Sequence, residues 1–157
     1  MSEKSWKAEV DEIINDIGKS EAALLQCLEA VQRDVGYIPQ DAITYLRDEL
    51  DVPSVEIYGV ITFYGMLTAE QQGKYVIRVC NSLPCYLNGS KMIIETLETE
   101  LGIKSGETAE DANFTLETVA CLGLCDKAPA MIINREIYGN LTEEKVKEII
   151  KAKAGDD

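Results

Sequence analysis

Histidine is missing from this chain altogether. Its absence removes the usual general base near neutral pH, the commonest neutral metal ligand, and any Ser–His or Cys–His nucleophile pair. Independent hydrolytic or acyl-transfer catalysis is argued against on that ground. Long apolar runs are missing too: no stretch approaches the ~20 residues that a membrane-spanning helix needs. The first residues, Met1 to Trp6, lack the basic-then-apolar pattern of an export signal, so a soluble, cytoplasmic protein is expected. No G-x-G-x-x-G loop is present to cradle a dinucleotide, which leaves the chain without an obvious flavin or nicotinamide site of its own. Positive charge is scarce, at 15 Lys and Arg against 28 Asp and Glu, a net −13. A surface of that sign repels phosphate backbones and argues against nucleic-acid binding. Solubility is the plain use of the excess, and steering toward a basic partner surface is the sharper one.

What is present is a cysteine pattern. Four of the five cysteines form two pairs, Cys80-Asn-Ser-Leu-Pro-Cys85 and Cys121-Leu-Gly-Leu-Cys125. Neither pair has the C-x2-C spacing of zinc knuckles or of thioredoxin-type redox motifs, and a reducing cytosol disfavours disulfides. Plant-type ferredoxin spacing does not match either. Spacing alone puts an iron–sulfur cluster first, with structural zinc and free or buried thiols as open alternatives. The fifth cysteine, Cys27, lies among Leu24, Leu28 and Val31 and is expected to pack as a small hydrophobe.

The 157 residues suffice for one ordinary domain or two small ones. In the first part, Trp6, Val10, Ile13, Ile14 and Ile17 recur at helical spacing, and Gly18 ends that helix. Ser20 is a candidate N-cap for a second helix carrying Leu24, Leu28, Val31 and Val35, which Gly36 stops. A third helix is expected from Asp41 to Leu50. A fourth follows Ser54 through Val55, Ile57, Val60 and Ile61, and its aromatic cluster of Tyr58, Phe63 and Tyr64 is expected in the core. Short helices with short loops predict a small bundle. The polar, glycine-containing stretch from Thr68 to Lys74 marks a boundary, so residues 1–73 and 74–157 are read as two domains. Beyond it the period changes. Tyr75–Val79 reads as a strand delivering Cys80, Ser90 as the cap of a helix bearing Ile93, Leu97 and Leu101, and Phe114–Ala120 as a strand delivering Cys121. Ala130–Asn134 and Glu136–Tyr138 read as a hairpin, and Thr142 caps a last helix with acids first and lysines last. The fold class expected is therefore α+β, a helical bundle followed by an α/β unit with both cysteine pairs in loops after strands.

These residues together resemble the thioredoxin-like [2Fe–2S] ferredoxin family, in particular the small subunit that accompanies NADH-oxidising flavoproteins. The family pattern, C-x4-C then C-x3-C, is met by Cys80, Cys85, Cys121 and Cys125. The run Cys121-Leu-Gly-Leu-Cys125-Asp-Lys-Ala-Pro129 is similar to its second loop, and Tyr138-Gly-Asn-Leu-Thr142 to the entry of its last helix. Upstream, Val31–Pro39 and Val55–Tyr64 resemble its helical N-terminal domain. The likeness runs from about Leu24 to about Lys151. One departure is Tyr86, where many relatives carry histidine after the second cysteine. That position is not a ligand.

The resemblance implies a thioredoxin-like domain over 74–157 holding one [2Fe–2S] cluster on Cys80, Cys85, Cys121 and Cys125. It implies an electron-transfer subunit that is not catalytic by itself, partnered by a flavin-containing, NAD(P)H-binding iron–sulfur subunit and by a larger, hydrogenase-type catalytic subunit. The bundle over 1–73 would dock the partner. Among parent enzymes a soluble bacterial electron-bifurcating [FeFe] hydrogenase comes first, with a complex I or formate dehydrogenase assembly next. A zinc-stabilised interaction module and a thiol–disulfide oxidoreductase are the alternatives from other classes.

Overall fold

The computed structural model describes residues 5–155, so the outermost residues of the two expected domains, 1–4 and 156–157, lie outside the described part. The chain divides into two compact units, Met1–Gln71 and Gln72–Asp157.

The first unit is helical: α1 (Ser5–Ile17), a 3-10 turn (Glu21–Ala23), α2 (Leu24–Val35), α3 (Gln40–Leu50) and α4 (Ser54–Phe63). The periodic apolar positions become its core, with Val10, Leu28, Ile38, Ile43, Leu46 and Ile57 fully buried. Gly36 ends α2 in the left-handed region at φ 93°, its N–H donating to the Gln32 carbonyl at 2.8 Å. The end of the unit is held by Gln32, whose side chain pairs with the Met66 carbonyl and accepts from Thr68 N–H at 2.8 Å. Trp6 meets Tyr45 edge-on at 5.5 Å, and the Tyr45 hydroxyl donates to Asp11 at 2.5 Å, joining α1 to α3. Cys27 is completely buried here, as its apolar neighbours imply.

The aromatic cluster differs from expectation. Tyr64 packs against the core, but Phe63 is 79% exposed and Tyr58 is 38% exposed. Helical spacing sets which residues share a face, and on α4 the inward face is filled by Ile57 and Ile61 instead.

The second unit contains β1 (Tyr75–Cys80), α5 (Leu83–Leu87), α6 (Ser90–Leu101), β2 (Phe114–Val119), β3 (Met131–Ile133), β4 (Glu136–Tyr138) and α7 (Glu143–Ala154). Its sheet runs β2-β1-β3-β4. β1 and β2 are parallel, with Cys80 opposite Val119, whereas β3 is antiparallel to both β1 and β4. Sheet residues Ile77, Val79, Leu116, Met131 and Ile133 pack with Ile93 and Leu97 of α6 and Val146 and Ile150 of α7. α5 has no counterpart in the sequence expectation. Among the described residues no helix is long and apolar enough to cross a membrane.

Candidate metal centre

Two parallel neighbours end at the same edge of a sheet, and here each end carries a cysteine pair. Cys80 is the last residue of β1, and Cys121 follows the last residue of β2 by two positions. The backbone there is pinned: Cys80 N–H donates to the Ala130 carbonyl at 3.1 Å and Asn81 N–H to the Val119 carbonyl at 2.9 Å. The Ser82 carbonyl then accepts from the N–H groups of Cys85 (2.6 Å) and Tyr86 (2.9 Å), opening α5. This one-turn helix carries Cys85 inward, so the first pair does not sit wholly in a loop as expected. Cys80 and Cys85 are buried, each 2% exposed, and their side chains are hydrogen-bonded to one another.

The second pair is more open. Cys121 and Cys125 are both exposed, with their sulfurs 4.0 Å apart. Two thiolates on one tetrahedral ion with bonds of ~2.3 Å stand ~3.8 Å apart, so this pair has nearly the separation of two ligands sharing a metal. Gly123, at φ 75°, lets its own N–H donate to the Cys121 sulfur at 3.3 Å. The 3-10 turn Cys125–Lys127 is tied to the segment before α7, because the Lys127 carbonyl accepts from Asn140 N–H at 2.7 Å.

The surroundings distinguish the sulfurs. Burial pushes the Cys80 thiol up, but N–H groups of Ser82 and Leu122 and the side chains of Cys85 and Ser82 hydrogen-bond its thiolate and hold it below the usual value. Burial pushes Cys85 up, with Cys80 and Cys125 adding to the rise and the Ala130 N–H opposing it. The hydrogen-bonded Cys121 side chain raises Cys125, with smaller contributions from Cys80 and Asp126. All four sulfurs therefore belong to one neighbourhood, whereas Cys27 lies in the core of the first unit. None of the five cysteines forms a disulfide.

Among the described residues, no three or more Cys, Asp or Glu side chains converge on a single point that could hold one ion. The thiols stand as two pairs. Two thiol pairs side by side are a donor set that fits two metals bridged together. The backbone N–H groups of Ser82, Leu122, Ala130 and Gly123, already aimed at sulfur, are the donors such a cluster's thiolates require. The thiol hydrogen bond from Cys80 to the Ala120 carbonyl (3.0 Å) is the contact that a metal-bound thiolate gives up.

Sequence reasoning missed α5 and the N–H donors of Ser82, Leu122 and Ala130, whereas Gly123 is the position at which a glycine marks a close backbone approach to sulfur. Ser82 before Leu83-Pro84 is a legible helix-start signal. The Ala130 N–H has none, being a backbone group from a distant strand edge. Leu83 is 68% exposed and Pro84 is exposed as well, so neither side chain is packed over the first pair. Leu122 and Leu124 are half-buried.

Known proteins resemble this chain over most of its length. Over 136 residues the chain is 43% identical to an NADH-quinone oxidoreductase subunit of Rickettsia felis, a match covering 86% of this chain and 81% of that protein. It is 39% identical over 144 residues to the like-named subunit of Aquifex aeolicus, covering 92% and 90%. A crystal structure of an NAD+-reducing [NiFe]-hydrogenase superposes with a TM-score of 0.73 at 23% identity. That match covers 83% of this chain but 22% of the hydrogenase chain, and it shows likeness of fold. The model of the thioredoxin-like [2Fe–2S] ferredoxins matches residues 10–154, and with that extent of match the chain belongs to the thioredoxin-like [2Fe–2S] ferredoxin family.

Proposed function

We propose that this chain is the electron-transfer subunit of an NADH-linked flavoprotein complex, binding one [2Fe–2S] cluster through Cys80, Cys85, Cys121 and Cys125. The observation that carries the reading is the two-plus-two arrangement of thiols at the shared edge of β1 and β2, with backbone N–H groups directed at sulfur.

When bound, such a cluster supplies reversible one-electron reduction. The protein's part is to set how firmly that electron is held and where it leaves. N–H donors at Cys80, Cys85 and Cys121 stabilise the more negatively charged state and favour its reduction. Burial of Cys80 and Cys85 closes one side, and exposure of Cys121 and Cys125 turns the other toward a partner. Lacking a dinucleotide loop, the chain takes its electrons from a flavin-bearing subunit that accepts hydride from NADH and passes electrons on singly. The relatives named as NADH-quinone oxidoreductase subunits support such a partnership. A cytoplasmic location goes with thiolate ligands kept reduced. For the parent enzyme, the sequence reading puts a bifurcating [FeFe] hydrogenase with its larger catalytic subunit first, while the curated relatives favour an NADH–quinone oxidoreductase.

The test is anaerobic purification followed by iron, zinc and sulfide determination and EPR of the dithionite-reduced protein. About two irons and two sulfides per chain are expected, with a spin-one-half signal lost in Cys121→Ala. Zinc without labile sulfide would sink the reading and leave a structural module.

A further inference from the structure

Exposure of the second cysteine pair suits the exit of an electron, and it has a further chemical consequence. Cys80 and Cys85 are each 2% exposed, whereas Cys121 and Cys125 both face solvent. Small oxidants reach an open thiol and are kept from a buried one, so the two pairs differ in what can attack them. Cys27 is fully buried among the side chains of the first core and has no partner cysteine there.

The open pair is also close to bonding distance. Its sulfurs stand 4.0 Å apart, and a disulfide needs about 2.05 Å. Only Leu122, Gly123 and Leu124 lie between the two cysteines. Gly123 is exposed, and a Cβ there would meet nothing within 4 Å, so the turn has space in which to tighten.

The ends of the turn are held independently of any metal. Before it, the Val119 carbonyl accepts from Asn81 N–H at 2.9 Å; at its far end, the Leu124 carbonyl accepts from Lys127 N–H at 2.9 Å. Within it, Gly123 N–H donates to the Cys121 sulfur at 3.3 Å. These bonds keep the two sulfurs neighbours whether or not iron joins them. An accessible thiol poised beside a second one is the arrangement of a reversible redox site.

We infer that Cys121 and Cys125 are such a site: when peroxide meets them free of iron they close to a disulfide, which keeps both ligands recoverable for a new cluster. The inference rests on the function proposed above. One thiolate attacks the peroxide; an S–O bond forms, the O–O bond breaks and hydroxide leaves. The other sulfur attacks that sulfenic acid; the S–S bond forms, the S–O bond breaks and a second hydroxide leaves. Two thiolates have then given up two electrons, and one hydrogen peroxide with two protons has become two waters. Closure stops the oxidation short of sulfinic acid, from which a ligand does not return. Being exposed, the disulfide is open to attack by small thiols of the cytosolic type, which restore both cysteines.

The full-length chain is purified anaerobically, and iron and labile sulfide are counted. One portion is kept as isolated; a second is stripped of iron with a chelator under reductant, which is then removed. Both are treated with hydrogen peroxide, denatured, alkylated, digested and weighed by mass spectrometry. In the stripped portion the peptide holding Cys121 and Cys125 is expected to be lighter by two hydrogens, with Cys27, Cys80 and Cys85 recovered alkylated. The open pair should close about tenfold or more faster than the buried one, and faster than in the portion that keeps its iron. Dithiothreitol followed by ferrous iron and sulfide should return the iron content of the isolated chain. In Cys125→Ser, which has no second thiol in the turn, Cys121 is expected to end as sulfinic acid. A Cys80–Cys85 disulfide that forms first, a bond between the pairs, or sulfinic acid at Cys121 of the parent chain overturns the inference. An isolated chain without iron and labile sulfide overturns the functional reading, and the peroxide products of that chain decide the pairing separately.

Discussion

Five identical side chains divide into two chemistries through what surrounds them. Burial, assisted by the negative charge of Asp11, pushes the Cys27 thiol up to about 11. It therefore stays protonated and unreactive, whereas Cys121 and Cys125 face solvent. Tyr45 is pushed up to about 12, chiefly because its hydroxyl donates to Asp11. Both groups hold their protons more tightly folded than unfolded, so their stabilisation is complete below the unfolded values and is lost as pH rises. Denaturant midpoints of the helical unit are expected to fall between about pH 9 and 12, and the fall should lessen in Cys27→Ala/Tyr45→Phe. An alkaline limb of unchanged steepness in that double variant would show that these groups do not govern it. Gly139 yields a second prediction at this scale. A Cβ there would lie 2.5 Å from the Lys127 Cβ and 3.0 Å from the Lys127 carbonyl, inside the turn that starts at Cys125. Gly139→Ala is expected to destabilise the second unit by about 1–3 kcal/mol and to lower iron per chain, which metal analysis measures. Unchanged iron content would mean that the turn yields freely. Cysteine pairing was legible because spacing is a property of sequence. Apart from the one at Gly123, the sulfur-directed N–H groups were not, because every residue but proline has one, and only the fold aims it.

Helix ends show the same division one level up. Four residues read as N-caps from sequence: Ser20, Ser54, Ser90 and Thr142. Only Thr142 makes the side-chain bond, accepting from Lys145 N–H at 3.3 Å at the start of α7. Pro53 stands in the cap position of α4, and Gly89, at φ 93°, stands in that of α6. Ser90 thus falls inside its helix, fully buried, with its hydroxyl turned to the Asn81 side chain at 3.5 Å beside the first cysteine pair. Serine one residue from a proline or glycine is ambiguous to a pattern, because the backbone angles of the neighbour decide which residue flanks the helix. α5 escaped for a different reason: five residues are too few to display a period. Thr142→Ala removes this side-chain cap and is expected to lower stability by about 1 kcal/mol. Chemical denaturation of the second unit measures it, and Thr142→Ser should restore most of the loss. A serine variant no better than alanine would assign the effect to packing of the threonine methyl.

At the scale of the whole molecule there are two cores. The first takes its last buried member from Leu67, and the second begins among the residues of β1, with no residue common to both. The switch in hydrophobic period across the polar stretch 68–74 made this legible, since a 3.6-residue stripe and a two-residue alternation bury different kinds of surface. What sequence could not show was that α4 keeps an apolar face outside its own core, because periodicity ranks faces only when one of them is polar. Separate cores predict separate unfolding. The chain holds a single tryptophan, Trp6, 2% exposed in the first core, so its fluorescence reports that unit alone. Visible absorption from the proposed cluster reports the second. Leu28→Ala and Leu116→Ala each empty a fully buried site, one per core, and each is expected to cost about 2–5 kcal/mol. Leu28→Ala should move the tryptophan midpoint and leave the absorption midpoint in place, and Leu116→Ala should do the reverse. If either substitution shifted both midpoints equally, the units would be unfolding as one, and the bundle would be supporting the cluster domain directly as well as any surface it docks.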